Sequence, residues 1–406
     1  MASTPAASEE KTQSSPPKIQ TKHAVGSADW RRKVEGPYRR LDPNPNAFEL
    51  ARLALCAVTL VPIRVFLILA FVPSYYVVAR LFLALAPDMP WAQAVNIFFI
   101  RKASWLLLCF MGFWSVEVKG LQENAGKRGE PRVFVSNHIS YYEILYFLAE
   151  LGPSFVMKRT CLQVPLIGNI AARILDSVSV DNKGGKEGGS GSQAIAGRLA
   201  RMFGEEALKT GTASKEDLEG AWERGWRGNP LLLFPEGTTS NGSCLLRFKT
   251  GVFAGGLPVY PVTVQYNYRR FSPAFESIYW PVHAFRTLAE PFNHLRVNYL
   301  PRYCPTPEQR ADRELYAEAV QGIFCEALGL PAVEAGYAEK SEFHTYLRKN
   351  FRAHPWGRAA TLLPAPDRHG ALLNDSTARE YSCCGWGDNT AVVEGAADGT
   401  NGNGRG

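Results

Sequence analysis

The chain has 406 residues, 46% of them hydrophobic and 20% charged, which allows a substantial core and, by length alone, two or three domains. Lys and Arg number 45 against 38 Asp and Glu, a formal charge of +7, and the excess is spread along the chain. That balance fits anionic surfaces or ligands, membranes included, and such diffuse basic residues argue against nucleic-acid binding.

Eight cysteines fall into no CxxC pair, which argues against a structural zinc site and predicts reduced thiols facing the cytosol. The tandem Cys383-Cys384 is a candidate for palmitoylation.

Residues 1–46, rich in Ser, Pro, Lys and Ala, read as a disordered tail. The first apolar stretch begins near Phe48, so no secretory signal is visible; the Ser- and Ala-containing start, with Glu9 and Glu10, leaves a plastid address as an alternative.

Residues 47–120 read as membrane-anchoring helices. Residues 53–86 are strongly apolar but interrupted by Pro62, Arg64, Pro73 and Arg80. One straight helix of that length would run about 50 Å, more than a bilayer core requires, so two helices hinged near Pro62 or Pro73 are expected. Residues 103–118 carry Trp105 and Trp114 behind Arg101-Lys102, an interfacial arrangement. The expectation is a helix hairpin or re-entrant motif with at most two spans; a pair of buried core helices is the alternative.

Residues 121–335 read as an α/β domain with a mixed or mainly parallel sheet flanked by helices. Short β-rich runs, "RVFVS", "SFVMK", "DSVSVD", "PLLLFP", "PVYPVTVQY" and "HLRVNYL", alternate with helical segments. Residues 183–229 form an insertion, a Gly-rich loop followed by a helix whose stripe of Ile195, Leu199, Met202 and Phe203 packs on the sheet. A last helix is expected around 313–328. Residues 336–406 drift into Gly, Asn, Asp and Ala and read as a C-terminal extension, mostly disordered.

Two stretches carry the chemistry. In "VFVSNHISYYEILYF", a buried strand gives way to a helix, with His138 and Glu143 at the join. An imidazole takes a proton near neutral pH, and a carboxylate on its other nitrogen fixes the tautomer and stabilises the imidazolium. Ser140-x-x-Glu143 also matches a capping box, in which Glu143 only reaches back to the helix N-terminus. In "LLLFPEGTTSNG", an apolar strand stops at Pro235 and exposes Glu236, Gly237 and Thr238, where bare backbone and hydroxyls can approach an anionic oxygen.

Together, "NHISYYE" and "FPEGT" resemble the glycerolipid acyltransferase family, marked by H-x-x-x-x-D followed by F-P-E-G-T, over roughly residues 50–330. "VMKRTCLQVPLIGNI" is similar to a further family block, aligning Lys158, Pro165 and Gly168, and "LPVYPVTV" to its last one, with Pro258 and Pro261 framing a pocket-lining strand. The resemblance implies that His138 is the general base on a glycerol hydroxyl and Glu143 its orienting carboxylate. Glu236, Gly237 and Thr238 would bind the acceptor's phosphate and glycerol region, with charge from Lys158, Arg247 and Lys249. It implies direct attack on an acyl-CoA thioester, with acyl-CoA as co-substrate and no metal or prosthetic group.

Three departures refine this. Glu143 replaces the usual Asp, as in plant-type lysophosphatidylethanolamine acyltransferases. Thr239 stands where phosphatidate-forming members often carry Arg, which disfavours a doubly charged monoester acceptor and favours a lysophospholipid with a head group. Asn182 stands where Arg is common, with Lys183 beside it.

The resemblance therefore implies a membrane-bound lysophosphatidylethanolamine or lysophosphatidylcholine acyltransferase of the endoplasmic reticulum, with the domain facing the cytosol. The alternatives are 1-acylglycerol-3-phosphate acylation and, outside enzymes, a membrane adaptor. No G-x-S-x-G elbow or H-E-x-x-H metal motif supports a hydrolase. Oligomeric state is not legible.

Overall fold

The computed structural model describes residues 24–350 except 44, 86–89, 128, 165–167, 169 and 181–189. Residues 1–23, the Gly-rich run 182–189, Pro165, Asn182, Lys183, Cys383-Cys384 and everything past Asn350 lie outside the described residues.

Three helices open the chain: α1 (Ala47–Val58), α2 (Leu60–Leu85) and α3 (Pro90–Phe110). The Asn46 side chain accepts the Glu49 N–H and caps α1. The break falls at Thr59, just ahead of Pro62, whose ring excludes the helical position of the Val58 carbonyl and whose nitrogen has no proton to give it. Residues 47–78 are the one candidate among the described residues long and apolar enough to cross a membrane, and little of that stretch is buried. Phe48, Leu55, Val58, Ile63, Phe66 and Leu69 face outward along it, giving the chain a membrane-associating segment. The expected hairpin is not established.

Two of the basic residues in these apolar helices, Arg64 and Arg101, cap other helices. Arg64, buried, donates to the carbonyls of Leu288, Glu290 and Pro291 at the end of the later helix Trp280–Ala289, and Arg101 donates to the Ala149 carbonyl at the end of the helix Tyr142–Glu150. Carbonyls at a helix C-terminus have no partner within the helix, so these guanidinium groups tie the apolar helices to the domain behind them.

That domain is built on seven strands: β1 (Val116–Lys119), β2 (Val133–Ser136), β3 (Ser154–Lys158), β4 (Val178–Val180), β5 (Leu231–Leu233), β7 (Tyr260–Asn267) and β8 (His294–Tyr299), with β6 (Leu245–Leu246) outside the sheet. The order is β1-β8-β7-β2-β5-β3-β4. Neighbours pair in parallel except β7 and β8, which are antiparallel, so the sheet is mixed and mostly parallel. Every residue of β2 and β5 is buried, because helices cover both faces of the sheet centre and leave no polar side to alternate with.

The longer helices of the domain are α4 (Tyr142–Glu150), α5 (Ser190–Phe203), α6 (Trp280–Ala289), α7 (Arg313–Leu328) and α8 (Tyr337–Asn350). In α5, Leu199, Met202 and Phe203 are buried in the core formed with β2, β5 and α7. Asp312 caps α7 through the N–H groups of Glu314 and Leu315, and Gly329, in the left-handed region at φ 65°, ends it.

The boundaries depart from those expected at three places. Residues 116–119, read as part of an apolar segment, are edge strand β1 beside β8. Trp30, Val34 and Tyr38, in the expected N-terminal tail, are buried against Cys244, Leu246, Phe343 and Leu347, the last two on α8 in the expected C-terminal extension. Few and widely spaced apolar residues conceal such segments from any periodicity. What holds α8 in place is a two-stranded pairing of β6 with β9 (Ala332–Val333), which brings the end of the domain back to the segment after β5.

Candidate active site

In a parallel sheet the strand ends on one side leave a crevice, and β2, β5 and β3 are consecutive neighbours. Their C-terminal ends deliver His138, then Phe234 to Gly237, then Lys158 to one edge.

His138 follows β2 by two residues. Its Nδ1 lies 2.9 Å from Glu143 Oε1, and its side chain is 18% exposed while Glu143 is fully buried. Glu143 Oε1 also accepts the Ile139 and Ser140 backbone N–H groups at 2.7 and 2.6 Å, and Oε2 accepts the Tyr266 hydroxyl. The capping and pairing readings of Glu143 are therefore both realised on one carboxylate. The box itself is half made, since the Ser140 hydroxyl has no partner. With Nδ1–H donated to Glu143, the neutral imidazole keeps Nε2 as its acceptor, and Nε2 makes no hydrogen bond among the described residues.

The ring is held flat by Phe234, stacked at 4.1 Å between centroids and 15° between planes. Asn137 clamps the loop to β7 by donating to the Val264 carbonyl at 2.9 Å and accepting the Val264 N–H at 2.8 Å. Behind Tyr141, His283 is buried and held neutral, its pKa pushed down to about 3 by burial; its Nε2–H donates to the Pro273 carbonyl and its Nδ1 accepts the Tyr141 hydroxyl.

Glu236 does not face the crevice. Its Oε1 accepts the His138 N–H at 2.7 Å and its Oε2 the Leu246 N–H at 3.0 Å, with 2% of the residue exposed. Both oxygens are engaged by backbone donors, so this side chain positions the His138 and Leu246 main chain rather than reaching into the crevice. Burial pushes its pKa up to about 8.

Gly237 has φ 66°, and a Cβ there would sit 2.5 Å from Lys249 Nζ and Cε. The bare backbone admits the Lys249 ammonium into the turn. Lys249 is lowered in pKa by burial and by neighbouring Lys158. Among the described residues neither lysine has a carboxylate within ion-pair distance; the Lys158 ammonium lies 4.3 Å above the Tyr337 ring of α8. Thr238 is buried in the same turn, while Arg247 is exposed at the rim, 3.9 Å from Glu334.

Pro258 is not brought to the site. Phe134 is in register with Tyr260 and Ser136 with Val262, so Pro258 falls six residues before Val264, at the opposite end of the sheet, roughly 20 Å along the strand. The residue this strand supplies is Tyr266, which a strand-end rule applied to "PVYPVTVQY" would have found. Lys340 was also missed: its ammonium reaches Thr239 Oγ1 at 2.7 Å and lies 2.5 Å from buried Glu276. Asn241, which opens the glycosylation-type tripeptide Asn-Gly-Ser, is buried, its amide donating to the Gly36 and Arg39 carbonyls.

Beside the crevice is an apolar cavity of about 180 Å³ between α2, α3, α4 and β3, lined among others by Phe71, Ser104, Ile144, Leu148, Phe155 and Met157. Ile144 follows Glu143, Met157 precedes Lys158, and Phe155 stacks on Phe234. The cavity thus lies directly behind the histidine's stacking partner.

A mostly parallel sheet with a His–carboxylate pair and Lys158 at its strand ends, Lys249 in the adjoining turn and an apolar helix in the same chain is suited to group transfer on an amphiphile. The sequence matches the acyltransferase family over residues 115–265. It is 30% identical over 370 residues to lysophospholipid acyltransferase LPEAT1 of Arabidopsis thaliana, covering 78% of this chain and 87% of that protein. It is 28% identical to lysophospholipid acyltransferase LPCAT4 of Homo sapiens over 76% of this chain, spanning 57% of the human protein. The crystal structure of the 1-acyl-sn-glycerophosphate acyltransferase PlsC from Thermotoga maritima superposes with a TM-score of 0.46 at 17% identity, covering 68% of this chain and 98% of that one. The chain belongs to the acyltransferase family and is an O-acyltransferase.

Proposed function

We propose that this protein re-acylates a lysophospholipid, lysophosphatidylethanolamine or lysophosphatidylcholine, with acyl-CoA as co-substrate. The observation that carries the reading is the His138–Glu143 pair with Nε2 turned to the crevice; the relatives named as lysophospholipid acyltransferases support the acceptor class. Lys158 and Lys249 bind the acceptor phosphate, Gly237 makes room for the second of them, and the apolar cavity takes an acyl chain.

In this mechanism His138 Nε2 removes the proton from the glycerol hydroxyl as its oxygen attacks the thioester carbonyl carbon. Buried Glu143 stabilises the imidazolium. As the tetrahedral centre collapses, the C–S bond breaks and the imidazolium returns its proton to the departing thiolate, leaving CoA and the diacyl lipid. No acyl-enzyme forms, and the reaction calls for no metal or prosthetic group.

The apolar helices α1 to α3 seat the crevice at the bilayer, where both substrates reside. We place the protein in the endoplasmic reticulum membrane with the domain in the cytosol; the six free cysteines among the described residues support a reducing compartment.

The test is transfer from labelled oleoyl-CoA to a panel of lysophospholipids, using membranes containing the wild type or His138→Ala. Transfer to a lysophospholipid with a head group that is lost in the variant is the expected result. Transfer to lysophosphatidic acid alone would reject the acceptor, and equal transfer by both proteins would reject the base.

A further inference from the structure

Helix α8, beyond the segment that matches the family, places an aromatic ring at the acceptor's end of the crevice. Tyr337 opens that helix, is 48% exposed, and holds the Lys158 ammonium 4.3 Å from its ring centroid. The ring is fixed rather than floating: Phe343 and Leu347 anchor α8 in a core with Trp30 and Leu246, and Lys340, one turn on, grips Thr239. A pre-positioned ring face already accepting an ammonium group is a cation site.

We propose that Tyr337 is a specificity-determining residue that recognises the cationic amine of a zwitterionic head group, choline or ethanolamine. This rests on the lysophospholipid reading above. An acceptor phosphate taken up by Lys158 and Lys249 draws the Lys158 ammonium off the ring, which costs its cation–π contact. A head group that carries its own ammonium an ethylene link from the phosphate refills the ring. A monoester brings no cation, so the same displacement goes unreplaced. The ring therefore favours one acceptor class over the other by a difference between two bound states, and affects acceptor binding rather than proton transfer at His138.

The experiment compares wild type, Tyr337→Leu and Tyr337→Phe as full chains in membranes, at saturating oleoyl-CoA, with 1-oleoyl-lysophosphatidylcholine and 1-oleoyl-lysophosphatidic acid as acceptors. Tyr337→Leu is expected to shrink the ratio of the KM for the monoester to the KM for the choline lipid about two- to thirtyfold, chiefly by lowering the monoester KM, and to leave kcat within roughly twofold for both. Tyr337→Phe keeps the ring face and should stay near wild type. A rise in KM by the same factor for both acceptors, a fall in kcat for both, or no change for either would overturn the proposal. Wild-type membranes that acylate no lysophospholipid would sink the underlying reading first and this proposal with it, whereas normal wild-type transfer with an indifferent Tyr337→Leu would sink this proposal alone.

Discussion

The carboxylate of Glu236 accepts the backbone N–H of His138 at 2.7 Å, so the two sequence blocks that carry the chemistry are joined through main chain as well as through the crevice they share. The Ser240 N–H donates to the His138 carbonyl at 3.0 Å and completes the join. Replacing Glu236 with Gln turns an amide NH₂ against one of two backbone donors. We expect a loss of about 1–3 kcal/mol of stability, read by thermal denaturation in detergent, together with a fall in kcat as His138 loses its setting.

The same carboxylate has a pH signature. Its folded pKa, near 8, lies above its ordinary 4.5, so the folded protein holds the proton more tightly than the unfolded chain does. This group's stabilising contribution is complete below about pH 4.5 and is lost as pH rises toward 8. Melting temperature against pH should slope downward across that window in the wild type and flatten in Glu236→Gln. An unchanged slope in the variant would assign the dependence to other groups.

On the proposed mechanism, His138→Ala is expected to lower kcat by about 10²–10⁴-fold, with protein levels and melting temperature close to wild type. Glu143→Ala should cost activity and stability together, because the same carboxylate accepts the Ile139 and Ser140 N–H groups and the Tyr266 hydroxyl. Tyr266→Phe takes away one of those bonds and should fall between wild type and Glu143→Ala in both readouts.

Gly237→Ala puts a methyl where the Lys249 ammonium lies and asks a residue with a Cβ to hold φ 66°. A backbone cost of about 1–2 kcal/mol is expected, with a rise in acceptor KM that Lys249→Met reproduces without the backbone cost. If the alanine variant kept wild-type KM, Lys249 would not be an acceptor contact.

Lys340 and Glu276 form a buried pair. Burial raises Glu276 to about 7 and lowers Lys340, while nearby His344, pushed down to about 4 by burial, brings no charge near pH 7. Lys340→Met leaves Glu276 uncompensated and should cost about 3–5 kcal/mol in detergent unfolding; adding Glu276→Gln should recover most of it. Additive losses would mean that the two groups do not depend on each other.

The strands of the sheet centre were legible because "VFVS" and "PLLLFP" are short apolar runs bounded by turn residues, and the Asp312 cap and Gly329 stop bracket α7 as plainly. His138 and Glu143 stood out because they sit five residues apart around a strand-to-helix join. Tyr337, Lys340 and the Trp30 segment were not legible. Their partners, Lys158, Thr239 and Phe343, are far away in sequence, and a lone aromatic or lysine in a polar stretch has no period to betray it. Pro258 was assigned to the wrong end of its strand because strand direction and register are properties of pairing, not of the strand.

By itself, then, the sequence determined the element types, the apolar segment at the N-terminus and the pairing of His138 with Glu143, since those depend on local periodicity, turn chemistry and functional groups close along the chain. The tertiary structure alone decided that Glu236 turns inward while Gly237 admits Lys249. It also decided that α8 lies beside Lys158 and Thr239, because burial and approach depend on which strand ends and helices the fold sets side by side.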